Sequence, residues 1–287
     1  ADLPTAEQRG LEPLVAAWRE HREHARGLLL RELDGERYRR WLDDYVDFVR
    51  ATGIPSMWTL SVNATAQNAA AAVAFFNGDV EDDRDIGVDR NGVGWGTVGF
   101  WAQVRASAGN PDPIAIELWE FGNEVYGGRP EVGGAECADF GWEDAWTCDG
   151  TAYVLGDDEH DGYLAVRDAM LAVDPTVELG AVGVADPRSW SDWGNEVIDA
   201  AGDELDFYSV HQYGFDESPA DDEALHRPAE LWPDVLGDVH ASVGRDVPIA
   251  VTEYNLVSVE AGDTDKSMTR TINALYLADS IGQLALS

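Results

Sequence analysis

Residues 113–124 read PIAIELWEFGNE, a short apolar run that ends in a Gly-Asn-Glu triplet. Apolar residues stand at every second position from Ile114, which is the spacing of a β-strand with one face in a core. The strand then finishes on Asn123 and Glu124, two side chains that are costly to bury without partners. Such an ending predicts a strand whose last residues serve a site.

Similar apolar segments recur along the chain, and each alternates with a segment of helical spacing. Strands are expected at 54–63, 113–121, 176–184, 205–214 and 247–255, with residues 26–33 as a candidate for a sixth. Helices are expected at 37–52, 65–77, 94–107, 157–175, 190–202, 223–243 and 265–286, with interruptions of the sixth near Pro228 and Pro233. This alternation predicts an α/β fold with a parallel sheet and crossover helices. No linker, repeat or low-complexity tract divides the chain, so one domain is expected over residues 1–287.

The charge of the chain excludes two classes of partner. Asp and Glu total 55 against 19 Lys and Arg, a net charge of −36. Nucleic acid and anionic membranes would both be repelled by such a surface, and no stretch approaches the roughly 20 apolar residues of a membrane span. Concentrated salt screens self-repulsion, because the Debye length falls to about 3 Å at 1 M. The composition therefore predicts a protein of a halophile.

The two cysteines, Cys137 and Cys148, lie in one irregular stretch. Their spacing suits a loop disulfide and suits two free thiols nearly as well. No CxxC motif or Cys/His cluster points to zinc, and no metal site is expected. The first ten residues lack the pattern of a secretory signal. The cysteine pair nevertheless favours an extracellular location.

Three of the expected strands end on polar residues, in the segments WEFGNE, SVHQYG and AVTEYN. In parallel α/β folds ligands bind at the carboxyl ends of the strands. Glu124 and Glu253 end two of these strands and form a natural pair. Two carboxyl groups on either side of a bond are what glycoside hydrolysis requires, one as proton donor and one as ionised nucleophile. The pair therefore predicts a glycosidase site.

Further candidates for sugar binding surround this pair. His211 and Tyr213 stand two residues apart on one strand and so point to the same face. Asn63 ends another strand. Three tryptophans near the expected site have rings suited to stacking on sugars: Trp119, Trp142 and Trp146. For His211 and Trp119, a place in the core is the alternative.

Several of these segments resemble one family of enzymes. LWEFGNEVYG is similar to the acid/base strand of clan A glycoside hydrolases, and most similar to that of the family 51 α-L-arabinofuranosidases. DFYSVHQYG and IAVTEYN resemble the sixth strand and the nucleophile strand of that family. The match covers roughly residues 37–286, in order. It implies a (β/α)8 barrel of the TIM type.

The resemblance also implies a role for each matched residue. Glu124 would be the general acid/base and Glu253 the nucleophile of a retaining reaction. Asn123 would hydrogen-bond the sugar 2-hydroxyl, and His211 and Tyr213 would line the subsite of the cleaved sugar. The implied substrate is an arabinofuranosyl-containing plant polysaccharide or oligosaccharide, and no cofactor is required.

The chain departs from the family pattern in three respects. The first and eighth strands of the barrel have no clear counterpart, the accessory β-sandwich of the family is absent, and Tyr254 stands where tryptophan is more usual. Open strand edges would need covering, by a second copy of the chain or by further sequence. Two alternatives therefore stay open: another clan A activity, of the β-xylosidase, β-glucosidase or endoglucanase type, and a non-catalytic carbohydrate-binding protein.

Overall fold

A computed structural model describes residues 35–134, 137, 141–187, 191–244 and 246–286. In this part of the chain five strands alternate with helices, an α/β fold of the TIM-barrel type without the full set of eight strands. The strands are β1 Met57–Leu60, β2 Leu118–Phe121, β3 Glu178–Val182, β4 Phe207–Phe215 and β5 Ile249–Val257. All five expected strands are present, although β2 begins at Leu118 and not at the predicted residue 113, since Ala115 has a φ of +56°. The sixth candidate, at 26–33, lies outside the described residues.

The helices also follow the expected order. They are α1 Gly35–Thr52, α2 Ala66–Asn77, α3 Val98–Ser107, α4 Pro130–Gly133, α5 Gly150–Leu155, α6 Tyr163–Val173, α7 Trp193–Ala201, α8 Asp221–Val243 and α9 Thr271–Leu286. The short helices α4 and α5 were not expected. Helix α6 begins later than the predicted residue 157, since Gly156 has a φ of +76° and the chain first makes a loop. None of the described helices is long and apolar enough to cross a membrane.

The chain divides into two compact units. The first comprises the described residues up to Asn123 together with Val154–Leu179, and the second comprises Glu124–Tyr153 together with the residues from Gly180 onward. Each unit is built from two separate segments of the sequence. The boundary at residue 123 falls inside the Gly-Asn-Glu triplet.

In the first unit, β1 runs parallel to β2, with Met57 opposite Leu118 and Leu60 opposite Phe121. Helix α2 is rich in alanine and buries ten of its twelve residues. Small side chains allow its backbone to pack closely on both sides. The Thr65 side chain caps its first turn by accepting the N–H of Asn68 at 3.3 Å, as Ser and Thr do at helix starts.

In the second unit, β4 runs parallel to both β3 and β5. Between β4 and β5 the register shifts by one residue at the step from Val210 to His211, which leaves Thr252 as the extra residue in β5. Such a β-bulge re-aims the side chains that follow it. Here it pairs His211 with Glu253.

Helix α8 continues through Pro228 and Pro233, although each proline removes one backbone donor. Packing compensates for these losses. Leu231, Trp232 and Val235 are buried in one cluster, against which Tyr254 of β5 packs. The Tyr254 and Trp232 rings meet edge to face at 5.9 Å. The residue that departs from the family pattern is thus part of the apolar contact between α8 and β5.

Candidate active site

Glu124 has a strained backbone. Its φ of +41° and ψ of +40° lie in the left-handed region, just before the 3-10 turn Val125–Gly127. Residues with a Cβ adopt this conformation rarely, and such strain concentrates at functional sites. The preceding Gly122 also has a positive φ, of +95°. The chain therefore turns sharply after β2, and the Glu124 side chain leaves that turn.

Three side chains hydrogen-bond the Glu124 carboxylate. Oε1 lies 3.0 Å from His211 Nδ1 and accepts the Tyr126 hydroxyl at 3.2 Å, and Trp142 contributes a third bond. The His211 bond is the main reason that the pKa of Glu124 lies below its usual value, and it outweighs partial burial, which acts in the opposite direction. An ionised carboxylate only accepts hydrogen bonds, so Nδ1 of His211 carries the proton in this state.

Glu253 lies beside the same nitrogen of this imidazole. Its Oε2 is 3.6 Å from His211 Nδ1, and about half of its side chain is exposed. One oxygen of each glutamate and the Nδ1 of His211 lie within 4.8 Å of one another. The two carboxylates and the imidazole thus form one cluster of side chains.

An open pocket of about 740 Å³ contains this pair. Both glutamates line it, and so do His211 and Tyr213, as expected from the sequence. The remaining lining residues are Tyr126, Trp142, Val184, Ala185, Asp186, Gln212, Asp216, Ser258 and Val259. The second unit therefore brings together four of the seven predicted site residues.

The other three predicted residues belong to the first unit. Trp119 has no exposed surface; its indole N–H bonds the Ile116 carbonyl at 3.0 Å and its ring packs on Phe76. A fully buried ring offers no face to a sugar, so Trp119 is a core residue, which corrects its expected role. Asn63 and Asn123 are exposed on this unit, and their roles in binding stay predictions.

Sequence reasoning missed Tyr126, and it placed Trp142 near the mouth of the site, where Trp142 lines the pocket. Burial raises the pKa of the Tyr126 phenol, so the hydroxyl stays protonated and donates to Glu124. The position of Tyr126, two residues after Glu124, was the feature of the sequence that could have indicated this role. Trp142 is far from both glutamates along the chain and only the fold brings it to them.

The cysteines form a disulfide, Cys137–Cys148, which decides between the two alternatives that the sequence left open. It packs on Gly128, where a Cβ would lie 2.7 Å from the Cys148 Sγ. Arg129 holds the same loop through an ion pair of 2.8 Å with Asp144. The segment that follows Glu124 is thus tied to the segment that carries Trp142.

Among the described residues, one group of three has the donors to hold a metal ion: Glu124, His211 and Glu253. Two carboxylates and an imidazole are ligands that zinc accepts. The same atoms are the ones that a glycosidase uses for proton transfer and nucleophilic attack. A cation bound here would therefore compete with that chemistry.

Comparison with known proteins supports an enzymatic relationship. The intracellular exo-α-(1→5)-L-arabinofuranosidase of Halalkalibacterium halodurans is 28% identical over 116 residues, which are 40% of this chain and 19% of that enzyme. No protein-family profile matches the sequence.

Solved structures extend the similarity over most of the chain. The α-L-arabinofuranosidase of Thermotoga maritima, solved with arabinose, matches 85% of this chain with a TM-score of 0.58 and 20% identity. A family 51 α-L-arabinofuranosidase of Bifidobacterium longum matches 75% with a TM-score of 0.53 and 19% identity. The resemblance to the family 51 arabinofuranosidases is confirmed. The chain has their fold, and it spans 43% and 37% of these two structures.

Proposed function

We propose that the chain is a retaining glycoside hydrolase that acts on arabinofuranosyl-containing polysaccharide or oligosaccharide. The observation that carries the proposal is the pair of glutamates beside the same ring nitrogen of His211, with donor atoms within 4.8 Å of one another. The two groups have unlike surroundings, since Glu124 has three hydrogen-bonding side chains and Glu253 is half exposed. Unlike surroundings allow two carboxyl groups to take different roles.

In the first step, a carboxylate oxygen of Glu253 attacks the anomeric carbon and forms an ester bond. The bond from that carbon to the leaving oxygen breaks, and Glu124 gives its proton to the leaving oxygen. In the second step Glu124 takes a proton from water, the water oxygen attacks the same carbon, and the ester bond to Glu253 breaks. Two inversions leave the configuration unchanged.

The other predicted residues have supporting roles in this proposal. His211 orients both carboxylates, since its Nδ1 lies 3.0 Å from an oxygen of Glu124 and 3.6 Å from an oxygen of Glu253. Tyr213 lines the same pocket as Glu253 and would contact the sugar that is cleaved. Asn123, next to Glu124 in the chain, would hydrogen-bond the 2-hydroxyl of that sugar. Each of these roles depends on a sugar occupying the pocket.

A panel of aryl glycosides in high salt tests the proposed substrate. We expect the 4-nitrophenyl α-L-arabinofuranoside to be hydrolysed, and NMR of the first product to show the same anomeric configuration as the substrate. Turnover of a β-xyloside or β-glucoside alone would assign the chain to another clan A activity. A product of inverted configuration would contradict the retaining mechanism.

A second candidate function is carbohydrate binding without catalysis. Two observations favour it: the chain spans less than half of its structural relatives, and the lowered pKa of Glu124 opposes the protonated state that a general acid needs. This function predicts that no glycoside is hydrolysed while arabino-oligosaccharide raises the melting temperature. Calorimetry with the same sugars distinguishes the two functions.

We also propose that the protein requires concentrated salt. The net charge of −36 acts against the compact state through self-repulsion. The melting temperature should therefore rise steeply between low and multimolar KCl. A melting temperature that is indifferent to salt would contradict this proposal and leave the proposed chemistry untouched.

A further inference from the structure

Trp142 is an exposed aromatic residue inside the pocket. It lines the same cavity as Glu124, His211 and Glu253, and 46% of its surface is accessible. Large apolar side chains are usually covered, so an exposed indole inside a concave pocket indicates a contact with a ligand. Its side chain also hydrogen-bonds the Glu124 carboxylate, and the indole N–H is its only donor.

Contacts with Gly127 and Tyr126 fix the position of the Trp142 ring. A Cβ at Gly127 would lie 2.2 Å from Cε2 of Trp142, so the indole rests directly on a residue without a side chain. The backbone N–H of Trp142 donates to the Gly127 carbonyl at 3.1 Å. The ring also meets Tyr126 edge to face at 6.4 Å. Trp142 is therefore held in place before any ligand arrives.

The hydrogen bond to Glu124 places Trp142 beside the leaving group of the substrate. A general acid must lie next to the oxygen of the leaving group, because that oxygen receives its proton. A ring fixed beside the acid is thus beside the leaving group and not beside the sugar that becomes bound to Glu253. The exposed apolar face of an indole suits the C–H face of a sugar ring.

We propose that Trp142 is the platform for the leaving-group sugar and that its N–H positions Glu124 for proton transfer. This inference rests on the proposed function and deepens it. It assigns substrate preference to the loop tied by the disulfide: the chain would favour glycosides whose leaving group is itself a sugar.

Two substrates of the same sugar separate this role from a general loss of structure. One is an arabinofuranosyl oligosaccharide, and the other is the arabinofuranosyl fluoride, whose leaving group is a single atom. For Trp142→Ala we expect kcat/KM to fall about 10- to 100-fold on the oligosaccharide and much less on the fluoride. Equal losses on both substrates would overturn the proposal.

Two further variants test the two parts of the role. Trp142→Phe keeps a ring and loses the N–H, so it should retain most of the oligosaccharide affinity. Its kcat/KM should nevertheless decline at higher pH than in the wild type, because Glu124 has lost a donor that favours its ionised form. An unchanged pH profile would overturn the positioning part.

Gly127→Ala displaces the ring without removing it. Its effect on the oligosaccharide should match that of Trp142→Ala. The control is Gly237→Ala in α8, where a Cβ meets nothing within 4 Å and both substrates should react as with the wild type. Wild-type rates in Gly127→Ala would overturn the proposal.

The platform remains testable if the chain hydrolyses nothing. Calorimetry with the oligosaccharide should then show binding by the wild type and binding weakened at least 10-fold in Trp142→Ala. That result would reject the proposed hydrolysis and keep the platform. Equal affinities, or no binding by the wild type, would reject the platform.

Discussion

The segment around Glu124 and the strand around Glu253 reach the same pocket by opposite means. Glu124 stands in a left-handed turn, receives three side-chain hydrogen bonds and is followed by a loop closed by a disulfide. Glu253 follows the β-bulge in β5, lies 3.6 Å from one imidazole and is half exposed. One carboxylate is held by its surroundings, and the other is left accessible.

This difference suits two unlike chemical tasks. A group that gives and later takes a proton depends on hydrogen bonds that set its pKa and its direction. A nucleophile needs an open approach to the carbon that it attacks. The comparison therefore predicts that changes near Glu124 alter pH dependence and leaving-group dependence, whereas changes at Glu253 remove the reaction.

Replacing the two glutamates one at a time gives the largest expected effect. Glu253→Ala should lower kcat by about 10⁴-fold or more, as loss of a nucleophile does. Glu124→Ala should lose about 10²- to 10⁴-fold on oligosaccharides and less on 4-nitrophenyl glycosides, with azide restoring activity. Steady-state kinetics on both substrates measure this, and Glu260→Gln, at an exposed position, is the control. Equal losses without rescue would contradict the assigned roles.

Removing the disulfide tests whether it stabilises the segment that follows Glu124. Cys137 and Cys148 are 11 residues apart, and closing a loop of that size stabilises a fold by about 2–4 kcal/mol. The Cys137→Ser/Cys148→Ser variant should lose this much unfolding free energy in denaturant titrations. Its kcat/KM should also fall more on oligosaccharides than on the glycosyl fluoride. A loss of stability with unchanged substrate preference would separate the disulfide from the site.

His211→Phe tests what sets the pKa of Glu124. The His211 hydrogen bond lowers that pKa, and a general acid works only while protonated, so activity should be lost as pH rises through it. Without the donor the pKa rises, and the decline of kcat/KM should move to higher pH. His226→Phe, at an exposed site on α8, should leave the profile unchanged. A profile that His211→Phe does not move would contradict this account.

Chelation should have the smallest effect. Glu124, His211 and Glu253 can act without a metal ion, because the imidazole already forms a hydrogen bond with the Glu124 carboxylate. We expect EDTA to leave kcat unchanged and added Zn²⁺ to inhibit by occupying Glu124, His211 and Glu253. Activity lost to EDTA and restored by Zn²⁺ would require a metal in the mechanism.

Much of this architecture could be predicted from local patterns. Short apolar segments between helical ones located the five strands, because strands of a parallel sheet are buried as continuous apolar runs. The polar strand ends located Glu124, His211, Tyr213 and Glu253, since parallel strands end at a common edge. Trp119 was misassigned because a buried tryptophan and a sugar-stacking one look alike in sequence. Proline spacing also suggested breaks in α8 that the packing of Trp232 overrides.

Composition and pattern alone established the excess of acidic residues and the alternation of strands and helices, and they predicted the pair of Glu124 and Glu253. These are properties of single residues and short segments, and burial constrains them directly. Only the tertiary structure decided three features. They are the bulge that pairs His211 with Glu253, the left-handed turn at Glu124 and the packing of Trp142 on Gly127. Each depends on atoms brought together from distant parts of the chain or on a backbone angle that neighbouring contacts maintain, so no local pattern encodes it.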